Sequence, residues 1–221
     1  GLSAETALSQ SIHSSADGAA QSRSATQAEL RDAQQRQEKA EFNQAAKQIR
    51  DAVRGDPALA ELARQLAIDI TPQGLRIQIL DEDHQPMFPL GSAAPNERAK
   101  LLLQKVTPVL AKLSQDISIA GHTDSAPFPG PDRTNWELST ERANATRRLL
   151  VEGGLPDSRI RSVTGNADRD PLLPADPLAA ANRRIAIVVL RSGRPAEAAP
   201  GPSGTAGGAT AAAGTAAVPV R

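Results

Sequence analysis

The run Asp116-Ile117-Ser118-Ile119-Ala120-Gly121-His122-Thr123-Asp124 and, past a loop, Asn135-Trp136-Glu137-Leu138-Ser139-Thr140-Glu141-Arg142-Ala143 form one strand-loop-helix unit from which the rest of the architecture follows. Apolar and polar side chains alternate from Asp116 to Gly121, the period-two pattern of a strand with one buried face. The helix predicted from about Trp136 to Glu152 puts Leu138, Arg142, Ala145 and Leu149 on one stripe. It closes at Gly153-Gly154, where glycine adopts the left-handed conformation that ends helices. The unit therefore sets an acid, Asp124, at a strand exit and a base, Arg142, near a helix start. Opposite charges at a fixed separation suit a zwitterion, whose amine and carboxylate need opposite partners.

Upstream, Ile68-Asp69-Ile70-Thr71 and Leu75-Arg76-Ile77-Gln78-Ile79 alternate about a Pro72-Gln73-Gly74 turn, which predicts a β-hairpin with one buried face. Pro86 to Ser92 is a rigid loop expected to tuck Met87 or Phe88 into the core. Leu102, Val106, Val109, Leu110 and Leu113 predict a helix over Asn96 to Leu113, with Pro108 kinking it or marking its break. Downstream, Arg159 to Val163 is a short strand, and Arg184-Ile185-Ala186-Ile187-Val188-Val189-Leu190 is the most apolar strand and hence the expected centre of the sheet. Strands separated by helices of crossover length give an α/β (α+β) fold, a two-layer sandwich with helices packed on a mixed β-sheet.

The flanks differ in character. Residues 1–37 are rich in Ala, Ser, Gln and charge, with Leu2, Leu8, Ile12 and Leu30 too sparse for a continuous apolar face, and are expected to be a flexible or weakly helical linker. Residues 38–66 form an N-terminal helical segment: Phe42, Ala45, Ala46, Ile49 and Val53 recur at helical spacing, Gly55 stops that helix, and a short second one starts with Asp56 as N-cap and Pro57 in its first turn. The folded domain spans 67–194. Residues 195–221, mostly Ala, Gly, Pro, Ser and Thr, are expected to be a disordered tail.

Composition narrows the chemistry. The 221 residues carry 25 basic and 25 acidic side chains, a balance that gives no general pull toward nucleic acid or anionic lipid. Cysteine is absent, which removes disulfides and thiolate sites. No apolar run approaches the ~20 residues needed to cross a bilayer. The chain begins at Gly1, so a fragment or processed product is expected, with any anchor upstream. The nucleophile elbow, the zinc-protease pattern, the phosphate loop and the dinucleotide fingerprint are all missing, and the three histidines, His13, His84 and His122, stand in unrelated contexts. No catalysis, no metal and no cofactor is expected.

Asp124 and Arg142 each have a structural reading beside the ligand-holding one. A short acid past a strand end often closes a turn by accepting backbone N–H groups. A helical arginine often pairs with a nearby acid, here Glu141 or Glu137. The stripe, however, turns Arg142 partly toward the sheet, where a guanidinium needs an anionic partner. Asn182-Arg183-Arg184 adds donors at the entrance to the last strand, and a solubilising role there is the plainer reading for Arg184.

Gly121-His122-Thr123-Asp124, Asn135-Trp136-Glu137-Leu138-Ser139-x-x-Arg142-Ala143 and Asn182-Arg183-Arg184-Ile185, in this order, together resemble the OmpA-like peptidoglycan-binding domain. Gly74 to Ile79, Pro86-Met87-Phe88, Gly91-Ser92-Ala93, Arg142-Ala143-Asn144-Ala145-x-Arg147-Arg148 and Gly153-Gly154-Leu155 narrow this to a resemblance to the MotB family of flagellar stator subunits, covering about Phe42 to Arg191. The resemblance implies that Asp124 and Arg142 hold the diaminopimelate of the wall peptide, the acid taking the ammonium and the arginine the carboxylate. It also implies that Thr123, Leu138, Asn182 and Arg183 belong to the peptidoglycan-binding site.

What the resemblance implies for the whole molecule is a periplasmic, non-enzymatic wall anchor. It works as a homodimer with a MotA-type stator subunit, and is held in the inner membrane by an N-terminal helix that this chain lacks. Thr164 to Pro171 departs from the family pattern and is assigned no contacts. Two rivals are an OmpA/Pal-type tether linking a membrane to peptidoglycan, and a wall-processing enzyme, against which the missing nucleophile and metal constellations speak.

Overall fold

The computed structural model describes residues 3–128 and 132–192. Five strands, β1 (Leu66–Ile70), β2 (Gly74–Leu80), β3 (Ile117–His122), β4 (Ile160–Gly165) and β5 (Arg184–Leu190), form one sheet in the order β1-β2-β5-β3-β4. All neighbours are antiparallel except β3 and β4, which run parallel with α3 as the crossover. The sheet is therefore mixed, and the most apolar strand, β5, lies at its centre as its composition predicts.

Three helices, α1 (Ser3–Arg54), α2 (Glu97–Lys112) and α3 (Asn135–Glu152), complete the second layer. Alternate residues of β2, β5 and β3 supply Leu75, Ile77, Ile79, Ile185, Ile187, Val189, Ile117 and Ile119 to a core. The helices close it with Phe42, Ile49 and Val53, with Leu102, Val106 and Leu110, and with Ala143 and Leu150. Both Met87 and Phe88 enter this core from the Pro86–Ser92 loop.

The termini of the helices follow local chemistry. Asn96 caps α2 by accepting from Ala99 N at 2.9 Å, and Pro108 sits inside α2 without breaking it. Thr134 and Glu137 form a capping box on α3. Past Glu152, Leu155 N donates to Leu150 O at 3.0 Å and Gly154 N to Val151 O at 3.0 Å, with Gly154 at φ +103°, a conformation that a side chain would strain. Gly121 serves closeness instead: a Cβ there would lie 2.1 Å from Ser139 O, so only glycine lets α3 press onto β3.

Two expectations change. Residues 3–37, expected as a flexible or weakly helical linker, are the first two-thirds of one continuous 52-residue helix, about 78 Å long at 1.5 Å per residue. Between Ser3 and Arg54 there is no proline and only Gly18 among glycines, and Ala, Gln, Glu and Arg are strong helix formers. What changes near residue 38 is burial. Ser24 and residues 26–37 are exposed, whereas Glu38 is buried, its Oε1 accepting from Ser192 N at 2.6 Å and its Oε2 from Arg191 Nη1 at 3.2 Å. The second short helix is a turn followed by a 3-10 helix, Ala60–Gln65, with Asp56 capping the turn by accepting from Ala58 N at 3.0 Å. The 195–221 tail lies outside the described residues.

Candidate ligand-binding site

The β2–β5 register sets Leu80 opposite Arg184, which puts Asp81 beside Arg183 just past the paired ends. Asp81 N donates to Arg183 O at 3.0 Å. The Asp81 carboxylate is almost fully buried: Oδ1 accepts from Met87 N at 2.7 Å and Oδ2 from Arg183 Nε at 3.0 Å. Burial nonetheless pushes this carboxyl above its ordinary range, with the Met87 N–H and the Arg183 guanidinium opposing.

Arg183 reaches across with its other arm, Nη1 donating to Asp124 Oδ2 at 2.7 Å. Burial works against the charged guanidinium, but its bonds to Asp124 and Asp81 win and hold its pKa above the ordinary value. Asp124 sits past β3 and is 13% exposed. Its Oδ1 accepts from Ala126 N at 3.2 Å, closing the turn as its structural reading anticipates. Asn135 ties that turn to the start of α3, its Nδ2 donating to Ala126 O at 2.9 Å and to Asp124 O at 3.3 Å.

Arg142 is buried as the helical stripe predicts, but its partners are not acids. Nε donates to Ser92 O at 2.9 Å and Nη2 to Pro89 O at 3.3 Å, and the guanidinium lies over the Phe88 ring, 5.1 Å from its centroid. The two helix acids are engaged elsewhere, Glu141 with Arg133 and Glu137 with Thr134. Burial lowers the Arg142 pKa; Asp81 and Asp124 pull it back up, and Arg183 adds to the lowering. Among the described residues, none accepts from Nη1. That leaves one strong donor available to an incoming acceptor.

These groups border a small open pocket lined by Asp81, Phe88, His122, Arg142, Arg183 and Arg184 over Ile79 and Ile185. His122 is buried, and desolvation together with Arg184 lowers its pKa to about 4 against the pull of Asp170, so the ring is neutral at neutral pH. Arg184 is no solubilising strand entrance. It is buried, donating from Nε to Gln78 Oε1 at 3.0 Å and from Nη2 to Asp170 Oδ2 at 3.1 Å.

Of the residues expected from sequence, Arg142 and Arg183 line the cavity, and Asp124 joins them through Arg183. Thr123, Leu138 and Asn182 are buried but do not line it. Thr123 N donates to Ala167 O at 2.9 Å, and Leu138 packs on the α3 stripe. Asn182 spends its amide on the loop before β5, accepting from Leu173 N and donating to Asp176 O, each at 2.8 Å. Asp81 and His122 are the lining residues that sequence reading passed over. The Thr164–Pro171 stretch, assigned no contacts, supplies Ala167 to Thr123 and Asp170 to Arg184.

Arg142, Arg183 and Arg184 line the pocket with Asp81, and Asp124 and Asp170 pair with Arg183 and Arg184, so three guanidiniums and three carboxylates meet with no net charge, and each oxygen of Asp81 and Asp124 keeps a free lone pair. Such a site favours a ligand end that carries both an ammonium and a carboxylate, because either alone would leave an unbalanced charge in a poorly solvated cavity. Among the described residues, no group of three or more metal-ligating side chains comes together.

Residues 87–184, which include most of this site, form an OmpA family domain. The chain is 37% identical over 166 residues to motility protein B of Escherichia coli K12, an alignment that covers 74% of this chain and 54% of that protein. It is 40% identical over 131 residues to the putative truncated flagellar export/assembly protein LafU of the same organism, covering 59% of this chain and 62% of the relative. The chain therefore spans a little over half the length of the relatives it matches. A MotB-like protein of Desulfovibrio vulgaris, of known crystal structure, superposes with a TM-score of 0.59 at 22% identity, over 72% of this chain and 98% of that one, and shares the fold.

Proposed function

We propose that this chain is the wall-binding part of a flagellar stator subunit of the MotB type, holding peptidoglycan non-covalently and without catalysis. The carrying observation is the buried Arg142, whose Nη1 has no acceptor among the described residues, beside the Asp124–Arg183–Asp81 bridge. Asp124 receives the ammonium of the diaminopimelate in the stem peptide, Arg142 receives its carboxylate, and Arg183 keeps both acids ionised. Leu138, Thr123 and Asn182 act one step back, fixing α3 and the two loops that carry the charged groups.

The similarity to motility protein B, longer than the OmpA family segment itself, favours a motor anchor over an OmpA/Pal-type tether. In this reading the protein is periplasmic, works as a homodimer, and joins a MotA-type subunit through a membrane helix outside this chain. None of the described helices is long and apolar enough to cross a membrane.

Sedimentation with isolated peptidoglycan tests the site. The unmodified chain is expected in the pellet. Asp124→Asn and Arg142→Ala each remove a charge-assisted bond worth ~1.5–3 kcal/mol and are expected in the supernatant. Wild-type sedimentation by both variants would sink the assignment.

A further inference from the structure

Trp136 is the one tryptophan of the chain, and it is 46% exposed at the first turn of α3. Among the described residues its hydrogen bonds come from its backbone: N donates to Thr134 Oγ1, and O accepts from the Ser139 and Thr140 hydroxyls. The Arg169 guanidinium, itself 71% exposed along its side chain, stands 5.8 Å from the ring centroid. An exposed pair of this kind adds little to folding, and a large aromatic surface left in water costs the burial it forgoes.

The pair stands on the same frame as the charged cavity. Asn135, the preceding residue, is bonded to the carbonyls of Asp124 and Ala126. The loop carrying Arg169 is fastened to the same place, with Thr123 N bonded to Ala167 O and Ala167 N to Ser139 Oγ. Trp136 lies six residues before Arg142, about 9 Å along the helix axis. About three extended residues at 3.3–3.6 Å each span that distance.

We infer that Trp136 and Arg169 form a saccharide-binding platform, on which a pyranose ring of the glycan strand stacks while its attached peptide reaches the Asp124–Arg142 cavity. The inference rests on the peptidoglycan reading above. A pyranose ring has a face of C–H groups and a rim of hydroxyls. The indole matches the face, while its N–H and the Arg169 fork match the rim. Asp168 pairs with Arg169 Nε at 3.6 Å and leaves the rest of the fork to the hydroxyl rim, and the platform stands on the same helix and loops as the peptide site.

The test compares two probes, a diaminopimelate-containing stem peptide alone and the same peptide carrying its disaccharide, titrated into the whole chain by calorimetry. The disaccharide form is expected to bind more tightly. Trp136→Ala is expected to erase roughly a two- to tenfold advantage of that form, the range of an aromatic contact, while leaving peptide affinity unchanged. Arg169→Gln is expected to reduce the same advantage without disturbing the ring.

Because the chain has no tyrosine, its emission reports on Trp136, and the disaccharide probe is expected to shift it where the peptide alone does not. An unchanged ratio in Trp136→Ala, equal loss of both probes, or no advantage of the disaccharide in the unmodified chain would each overturn the platform. Asp124→Asn separates the two ideas: it abolishes binding of both probes if the underlying reading holds, and retention of both refutes that reading whatever Trp136 does.

Discussion

Replacing Arg183 with Met removes the charge that joins two carboxylates while keeping an apolar stem of similar bulk. Asp81 is then left with the Met87 N–H alone, its side chain 3% exposed, whereas Asp124 at 13% relaxes more easily toward water. Leaving a buried charge without its partner costs about 3–5 kcal/mol, against a total stability of about 5–15 kcal/mol for a domain. The sign of the pH dependence follows from Asp81. Its folded carboxyl sits above the ordinary value of 3.8, so between the two values the folded state binds more protons than the unfolded chain and stability falls as pH rises.

Removing Arg183 deletes two attractions that oppose desolvation, which extends that window upward and deepens the fall. Urea unfolding followed by circular dichroism at about pH 5 and about pH 8 measures it. Arg183→Met is expected to lose most at the higher pH, and adding Asp81→Asn is expected to restore much of the loss by removing the stranded charge. A loss below about 1 kcal/mol at the higher pH, or no rescue in the double variant, would refute the view that Arg183 neutralises a buried acid.

Gly121→Ala places a Cβ 2.1 Å from Ser139 O, backbone against backbone, and is expected to lower the melting temperature by at least the ~1–3 kcal/mol equivalent of an overpacked core. Glu38→Ala cuts the bonds to Arg191 and Ser192 that clasp α1 to the end of β5, and is expected to cost ~1–3 kcal/mol in urea unfolding, with Leu30 and its exposed neighbours unaffected by proteolysis rate. His122, faced by Arg184 and Asp170, has its pKa lowered from 6.5 to about 4, so the unfolded chain binds the extra proton first and stability drops as pH falls through that window. His122→Asn is expected to flatten that drop, on the order of 3 kcal/mol, in unfolding curves collected across it.

The strands and the sheet's centre were legible because alternation and apolarity act locally. The hairpin needed only Pro72-Gln73-Gly74, and β5 needed only its near-continuous apolar run. α1 shows the opposite case. Residues 26–37 are exposed, so pattern reading, which detects burial, starts only near Glu38, while the backbone is already helical on propensity alone. The turn after Gly55 misled in the other direction, because an N-cap acid and a following proline specify how a helix starts but not whether enough residues follow to sustain one.

The site divides along the same line. Arg142 was placed correctly by helix geometry, yet its partners were not, because the Ser92 and Pro89 carbonyls lie 50 and 53 residues away in a loop whose path no local pattern encodes. Asp81 hides in Leu80-Asp81-Glu82-Asp83, where an acidic cluster after a strand resembles any solvated turn. Its role is created by pairing. Once β5 is set antiparallel to β2, Leu80 meets Arg184, and the next residue outward on each strand is Asp81 and Arg183, 102 positions apart in sequence. Aligning the central strand against the hairpin would therefore have found the acid. It would also have shown that Arg183 cannot be a free donor, since a buried carboxylate at that register requires it. The arrangement is accordingly not an acid facing a base but two acids sharing one arginine, with the second arginine held on carbonyls and left with a hydrogen bond to give.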